Sequence, residues 1–199
     1  YITTIGNAAF NGCACIKEVK ILGKNTAIST NAFYTCPNLE TVTFPNGYDV
    51  GTLGSGAFGN NQKLVNFELP SSVTSLGSWC FTSDSKIVLD ISNVTYFNKY
   101  ALRGCKIKSD LNANVTYIGE NSFESTSYYN GSTFEVNISS SVQNLGKEAF
   151  LNSKISKLTW SSDLAEIPEG CFKNSSLTKF VLGEGKTITK IGASAFQNC

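Results

Sequence analysis

Apolar residues recur along this chain with a regular spacing. A phenylalanine, replaced once by leucine, follows a small residue and returns every 21 to 27 residues, with a mean spacing of about 23; we call these positions the anchors. A fixed period of this length predicts a solenoid, in which one repeat cannot bury its apolar face without its neighbours. The anchors are Phe10, Phe33, Phe58, Phe81, Leu102, Phe123, Phe150, Phe172 and Phe196.

Two extended segments flank each anchor. After the anchor, apolar and polar residues alternate, as at 39–44, 64–69 and 177–182, which is the period of a strand with one buried face. A second apolar segment precedes the anchor, as at 73–76. The stretch 105–114 breaks the alternation and leaves strand pairing open there. The sequence therefore predicts two strands in most repeats.

A turn lies between the two strands. Glycine is frequent four residues before the anchor, as at Gly6, Gly77 and Gly119, and it suits a turn that needs either a positive φ or a close backbone approach. The small residue and phenylalanine that follow predict one turn of α or 3-10 helix. The predicted fold class is a repeat solenoid, a leucine-rich-repeat-like right-handed superhelix of ~23-residue units, mainly β with short helical turns.

The unit resembles the BspA-type leucine-rich repeat, which reads roughly I-G-x-x-A-F-x-x-C-x-x-L-x-x-V-x-I-P-x-S-V-T-x. Residues 39–76 match it nearly throughout, including Phe44-Pro45 and Leu69-Pro70. The resemblance covers residues 1–199 as one solenoid of seven complete repeats with partial repeats at each end, which we expect to be a fragment of a longer chain. It implies a surface or secreted microbial protein, and several members of the family are adhesins.

Composition narrows the function classes. A net charge of +1 and a pI near 7.7 argue against a nucleic-acid or anionic-membrane surface. No apolar run approaches the ~18 residues of a membrane span, so direct membrane insertion is not expected. The chain contains no histidine, which removes the commonest general base and metal ligand, and its carboxylates are scattered. We predict no enzyme activity and no cofactor.

The seven cysteines mostly follow the repeat. Six occupy two columns, either three residues after the anchor or directly before it, which indicates small buried side chains. A bridge between the stacked neighbours Cys13 and Cys36 is sterically conceivable. Cys13 and Cys15 are too close in sequence for the usual metal-ligand spacing. The columns hold Cys13, Cys36, Cys105 and Cys199 after the anchor, and Cys80 and Cys171 before it.

The strand after each anchor presents two outward columns. They carry a mixture of charged and neutral side chains, which favours a protein or glycan over a polyanion. The alternative is an ordinary solvated sheet face. The candidate contact residues on these columns are Lys20, Thr43, Glu68, Asp90, Glu135, Asn137, Lys157, Thr159 and Lys179.

The longest interval between anchors holds a polar insertion at 124–133. Insertions in repeat proteins map to loops on one face, and the adjacent Tyr128 and Tyr129 suit a contact hot spot. The alternative is that both tyrosines fold back onto the solenoid. The smaller loop 46–49 raises the same question.

Three functions remain open. The leading hypothesis is a non-enzymatic, surface or secreted module that binds macromolecules, with adhesion to host or neighbouring-cell proteins as its role and an extracellular protein or glycan as its partner. A second is a spacer that carries other domains. A third is an intracellular interaction scaffold, suggested by the unpaired thiols that the repeat columns predict.

Overall fold

Two short parallel strands are the building unit of this chain. The computed structural model describes residues 2–83 and 86–199, and within them eighteen strands form, all of whose pairings are parallel. Most repeats contribute one strand before the anchor and one after it. We number the repeats 1 to 9 by their anchors, which are separated by eight turns of the coil. The predicted parallel β-solenoid is confirmed.

The strands that precede the anchors form the first face. Seven of them pair in chain order of the repeats into one sheet, and the last two form a separate pair. The seven-stranded sheet contains β1 (Thr4–Ile5), β3 (Ala27–Ile28), β5 (Thr52–Leu53), β7 (Ser75–Leu76), β9 (Tyr96–Phe97), β11 (Tyr117–Ile118) and β14 (Asn144–Leu145), and the pair contains β16 (Glu166–Ile167) and β18 (Lys190–Ile191).

The strands that follow the anchors form the second face, which is divided into three sheets of three strands each. The first contains β2 (Glu18–Lys20), β4 (Thr41–Thr43) and β6 (Asn66–Phe67). The second contains β8 (Val88–Leu89), β10 (Lys106–Ile107) and β12 (Ser127–Tyr128). The third contains β13 (Phe134–Ile138), β15 (Ile155–Trp160) and β17 (Lys179–Leu182). Strand pairing therefore includes the start of the 105–114 stretch, at Lys106–Ile107.

The insertion in repeat 6 has a structural role. Repeat 6 supplies two strands to the second face: β12 pairs backward with β10, and β13 pairs forward with β15. Among the described residues, no ladder joins β6 to β8 on the second face or β14 to β16 on the first. At each of these junctions the opposite face is paired, through β5–β7 and β15–β17 respectively.

The turn between the two strands is not helical, which corrects the expectation of a short α or 3-10 turn. In repeat 2, every second N–H bonds within the turn, as in Ala32 N to Ser29 O at 3.3 Å. The intervening N–H groups donate to the next repeat, as in Phe33 N to Ala57 O at 2.9 Å. In a helix, all of these N–H groups would donate to carbonyl groups of the same segment. Because half of them bond to the next repeat instead, the stacking of the repeats favours this turn over a helix.

Each turn contains two residues with a left-handed backbone conformation. One lies two positions before the anchor and the other two positions after it. Their φ angles lie between 52° and 78°. Most are not glycine, and Asn152, Asn174 and Asn198 form a short amide ladder in the later column, with N···O distances of 2.9 Å. The earlier column is Ala8, Asn31, Gly56, Trp79, Tyr100, Asn121, Glu148, Gly170 and Ser194; the later is Gly12, Thr35, Asn60, Ser83, Gly104, Ser125, Asn152, Asn174 and Asn198.

The glycine four residues before the anchor serves the close approach and has no positive φ. A Cβ atom at Gly119 would lie 2.7 Å from the backbone carbon of Asn98 in the preceding repeat, and one at Gly54 would lie 2.6 Å from that of Ser29. Both distances are too short for real atoms. The sequence left two reasons open for this column, and backbone contact between repeats is the operative one.

The anchors stack along the centre of the coil. Phe33 lies 5.1 Å from Phe10 and 5.4 Å from Phe58, ring centroid to centroid, with nearly parallel planes. Phe123, Phe150, Phe172 and Phe196 continue the stack after repeat 5, where Leu102 interrupts it. Phe97 of β9 contacts Phe123 at 4.7 Å. The anchors from Phe33 to Phe172 are all fully buried or nearly so.

The column three residues after the anchor acts as a set of hydrogen-bond donors. The thiol of Cys105 donates to the carbonyl oxygen of Phe81, the preceding anchor, at 2.9 Å, and Cys36 donates in the same way to Phe10 at 3.1 Å. Thr126 and Asn61 make the equivalent contacts to Leu102 and Phe33. These cysteines are thus more than small apolar fillers, because each thiol donates a hydrogen bond to the backbone of the preceding repeat.

Substitution at Cys105 should separate these two roles. Cys105→Ala removes this donor to the Phe81 carbonyl, so we expect a loss of about 1 kcal/mol in the free energy of unfolding. Cys105→Ser keeps a donor and should lose less. Urea unfolding of both variants measures the difference, and equal losses would mean that the thiol contributes only by packing.

Candidate interaction surface

The predicted contact residues fall into separate patches on the second face because that face is divided into three sheets. Lys20 and Thr43 are paired neighbours on β2 and β4, and Glu68 follows the end of β6. Glu135, Lys157 and Lys179 are in register on β13, β15 and β17, as are Asn137 and Thr159. Asp90 follows β8, in the middle sheet. The predicted order is therefore found within the first and third sheets, but β10 and β12 lie between Asp90 and Glu135, and the surface is not continuous.

A groove opens at the junction where β6 and β8 do not pair. Its volume is about 740 Å³, within the range of typical ligand-binding clefts. Two of the predicted residues, Thr43 and Glu68, line it. The remaining lining comes from strands β4 and β6, from the loops that follow them, and from repeat 5: Val42, Phe44, Pro45, Asn46, Gly47, Tyr48, Val65, Asn66, Phe67, Leu69, Pro70, Ser71 and Lys108.

Aromatic packing fixes the wall of the groove. Phe44 contacts Tyr48 edge-on at 4.8 Å and Phe67 at 5.4 Å. Tyr48 is buried and its hydroxyl donates to the carbonyl oxygen of Thr26 at 2.7 Å. Burial raises the pKa of Tyr48 to about 12, so this hydroxyl stays protonated as a donor. The loop 46–49 is therefore held against the solenoid by the buried side chain of Tyr48.

Charges of both signs surround the groove. Glu68 of repeat 3 and Lys108 of repeat 5 both line it. Asp90 stands near Lys108, and its pKa is held below the usual value mainly by hydrogen bonds from Ser92, with a smaller contribution from Lys108. The carboxylate of Asp90 is thus ionised and exposed beside the groove.

The third sheet forms a second polar patch. Lys157 bridges to Glu135 on the neighbouring strand at 2.7 Å, while Lys179 on the other side is exposed. Asn137 is exposed and Thr159 half-buried. An ion pair at the surface contributes little to stability, so these side chains are available for exchange with a partner's charges.

The two tyrosines of the insertion behave differently. Tyr128 is half-buried on β12, and its hydroxyl donates to Asp110 at 2.9 Å. Burial first, and then the contact with Asp110, raises the pKa of Tyr128. Tyr129 is 55% exposed. The fold-back alternative therefore describes Tyr128, and Tyr129 is the one placed for contact.

Features typical of other functions do not appear in the described part of the chain. Residues 2–83 and 86–199 contain no group of three or more Cys, Asp or Glu side chains arranged to hold a metal ion. They also contain no helix that is long and apolar enough to cross a membrane.

A parallel β-coil with stacked anchors and outward polar columns defines a leucine-rich-repeat solenoid. The chain belongs to the BspA-type family: the profile described as "BspA type Leucine rich repeat region (6 copies)" matches residues 3–130 and 109–199. The resemblance inferred from the repeat unit is confirmed. Members of this repeat family generally act as non-enzymatic interaction modules.

Solved structures show the same fold. A leucine-rich repeat protein from Bacteroides ovatus matches with a TM-score of 0.53 and 18% identity, over 99% of this chain and 68% of its own. The pneumococcal vaccine antigen PcpA gives 0.59 and 15%, over 98% and 65%. A T. pallidum leucine-rich repeat protein gives 0.50 and 21%, over 91% and 70%. This chain thus spans only part of each. None of the curated proteins matches it.

The structure adds residues that the sequence reading missed. Phe44 and Lys108 line the groove but were not among the candidates. The closing prolines at 45 and 70 carried a signal, because they occur in only two neighbouring repeats, and both line the groove. Lys108 had no comparable signal, since it comes from repeat 5, two repeats away from Glu68.

Proposed function

We propose that this chain is a non-enzymatic binding module, located at the cell surface or secreted, that attaches to proteins of a host or of neighbouring cells. The groove at the β6–β8 junction is the observation that carries the proposal. Membership in the BspA-type family and the likeness to the pneumococcal vaccine antigen support the location. The small net charge of +1 fits a protein partner better than a nucleic acid.

The chemistry of the groove suits an extended polypeptide segment. Phe44 and the two prolines provide apolar contact, and Thr43, Asn66 and the loop backbone provide hydrogen bonds. Glu68 and Lys108, which both line the groove, would pair with charges of the opposite sign on the segment. A largely preformed cleft with a few placed polar groups is the usual form of such a site.

Partner binding should depend on the groove. We expect Thr43→Arg with Glu68→Arg to weaken binding by about tenfold or more, because two long cations fill the cleft and replace its one carboxylate with positive charge. Both positions are exposed, so the fold should persist. Solid-phase binding to a panel of matrix proteins and host-cell surfaces measures the effect.

A second variant tests the patch on the third sheet. Glu135→Lys with Lys157→Glu exchanges the two ends of one ion pair. Its matched control is Lys147→Glu with Glu169→Lys, an ion pair of similar length, 2.9 Å, that lies on the turns. The control should bind as the unmodified protein does. If the groove and patch variants both bind normally, the contact surface is elsewhere; if the unmodified protein binds no member of the panel, the spacer hypothesis takes precedence.

A further inference from the structure

Asparagine is followed directly by glycine at three places in this chain, Asn11-Gly12, Asn46-Gly47 and Asn130-Gly131. In such a pair the glycine nitrogen can attack the side-chain amide carbon of the asparagine, because the glycine has no Cβ atom to hinder the approach. All six of these residues are exposed to solvent. Exposure therefore does not distinguish the three pairs, and their local contacts decide which one reacts first.

Hydrogen bonds restrain the glycine nitrogen in two of the pairs. Gly12 N donates to Tyr34 O of the next repeat at 2.9 Å, and Gly131 N donates to Tyr128 O at 2.9 Å. The side chain of Asn130 is held as well, since its amide oxygen accepts a bond from a backbone N–H at 3.0 Å. A bonded nitrogen must first lose its acceptor before it can turn toward the amide carbon, which slows the attack.

The Asn46-Gly47 pair lacks these restraints. Within residues 2–83 and 86–199, no group accepts a hydrogen bond from Gly47 N, and none bonds the Asn46 side chain. One bond closes the turn around the pair, from Tyr48 N to Pro45 O at 3.1 Å. The nitrogen and the amide carbon of this pair are therefore the least restrained of the three.

A lysine lies beside the same glycine. A Cβ atom at Gly47 would lie 3.4 Å from Nζ of Lys24 and 3.6 Å from its Cε, so the end of this side chain packs against the turn. At Gly12 and Gly131 the equivalent point has no atom of the described residues within 4 Å. The attacking nitrogen loses its proton as the new bond forms, and negative charge develops on the amide. A cation at this distance stabilises that charge.

We propose that Asn46 is a site of spontaneous deamidation and that Lys24 promotes the reaction. The nitrogen of Gly47 bonds to Cγ of Asn46, the C–N bond of the side-chain amide breaks, and ammonia leaves with the proton of the Gly47 amide. Water then opens the cyclic imide at one of its two carbonyl groups. The product is aspartate at position 46, or isoaspartate, in which the main chain runs through the former side chain.

The product changes the groove, because Asn46 and Gly47 both line it. Glu68 is the one acidic residue in that lining, so deamidation adds a second carboxylate. Isoaspartate also lengthens the main chain of the turn. The charge and the shape of the groove wall therefore depend on the age of the molecule. This consequence for binding rests on the function proposed above, whereas the reaction itself does not.

Mass spectrometry of the aged protein tests the site. The purified chain is kept in neutral buffer made with heavy-oxygen water, and peptide mapping with fragmentation locates each asparagine that gains the label. We expect Asn46 to react at least about tenfold faster than Asn11 or Asn130, since one hydrogen bond is worth about that factor in rate. In urea, where the restraints are lost, the three rates should converge. Equal rates in the folded protein, or an undiminished preference for Asn46 in urea, would overturn the assignment.

The role of Lys24 has its own test. Lys24→Met removes the charge, keeps most of the apolar stem, and should slow the deamidation of Asn46 by about threefold. The control is Lys63→Met, which changes an exposed lysine whose amine bonds to Asn38 at 2.7 Å. It should age as the unmodified protein does. A variant that only loosened the loop would react faster, so an unchanged or higher rate in Lys24→Met would show that Lys24 does not promote the reaction.

Binding is measured separately from the reaction. Asn46→Asp carries the new charge from the start, and Asn11→Asp, which adds the same charge away from the groove, is its control. On a protein of the panel that the unmodified chain binds, we expect Asn46→Asp to change the affinity by at least about threefold and Asn11→Asp to leave it unchanged. Unchanged affinity in both would refute the link to the groove. Deamidation of Asn46 without binding to any member of the panel would count against the proposed function alone.

Discussion

Truncation of Phe150 to alanine is expected to lower the free energy of unfolding by about 3–5 kcal/mol. The ring is fully buried and lies between two others, 5.1 Å from Phe123 and 5.4 Å from Phe172. Its removal leaves a cavity that backbone bonds on both sides prevent from closing, since Phe150 N donates to Cys171 O and Phe123 N to Ala149 O, each at 2.8 Å. The stack also continues through neighbouring rings, so two repeat interfaces lose contacts together.

Phe10 provides the control for this prediction. It occupies the same column, but it is 38% exposed and has a ring neighbour on one side only, Phe33 at 5.1 Å. In a solenoid, stability is approximately a sum of contacts between adjacent repeats, so Phe10→Ala should lose less than half as much. Urea unfolding followed by far-UV circular dichroism compares the two. Similar losses would mean that the anchors are not equivalent units of one stack.

Gly119→Ala is expected to destabilise the protein by about 3 kcal/mol, near the upper end of typical overpacking effects. The added methyl group would lie 2.7 Å from the backbone carbon of Asn98 and 2.8 Å from the nitrogen of Lys99. Backbone atoms cannot rotate away as the end of a side chain can. Two repeats would therefore have to separate, and the bond from Gly119 N to Phe97 O at 2.8 Å would lengthen.

Gly6→Ala tests whether distance to the preceding repeat is the cause. Gly6 occupies the same column in repeat 1, where a Cβ atom would meet nothing within 4 Å. Thermal unfolding should show a much smaller change in Tm for Gly6→Ala than for Gly119→Ala. If the two variants lose the same stability, the cost comes from the conformation of the glycine and not from the approach of the repeats.

The strands and anchors could be read from the sequence because their signals are local. Alternation over a few residues marks the buried face of a strand, and the anchor period sets which strands are neighbours. The register of Lys157 and Lys179 follows directly from their shared offset of seven residues after the anchor, and the structure has that register. Glu135 lies twelve residues after Phe123, so only the alternation within 134–138 aligned it with them. The family resemblance rested on the same columns.

The turn could not be read in the same way. A small residue followed by phenylalanine is compatible with a helical turn, and only the adjacent repeat, by accepting every second N–H, decides against it. One signal was present: the later left-handed column contains only Gly, Asn, Ser and Thr, and Gly and Asn are the residues most suited to a positive φ. Trp79, Tyr100 and Glu148 in the earlier column concealed the equivalent pattern.

The candidate sites depended on features that span several repeats. The groove follows from two strands, β6 and β8, that do not pair, and no local pattern around 66–67 or 88–89 announces this. Such a gap becomes visible only when the strands of neighbouring repeats are placed in space.

Repeat 6 limits how the length of this protein can change. In repeats 1 to 3 the second-face strand starts eight residues after the anchor, whereas β10 and β12 start four residues after theirs. If one of the first three repeats were duplicated or lost, the repeats brought together would have the same spacing between anchor and strand. Their second-face strands could therefore still pair. Loss of repeat 6 would delete both β12 and β13, the strands that complete the sheet behind it and begin the sheet ahead. Length variants that arise by unequal recombination should therefore cluster before Phe81 and spare residues 118–138.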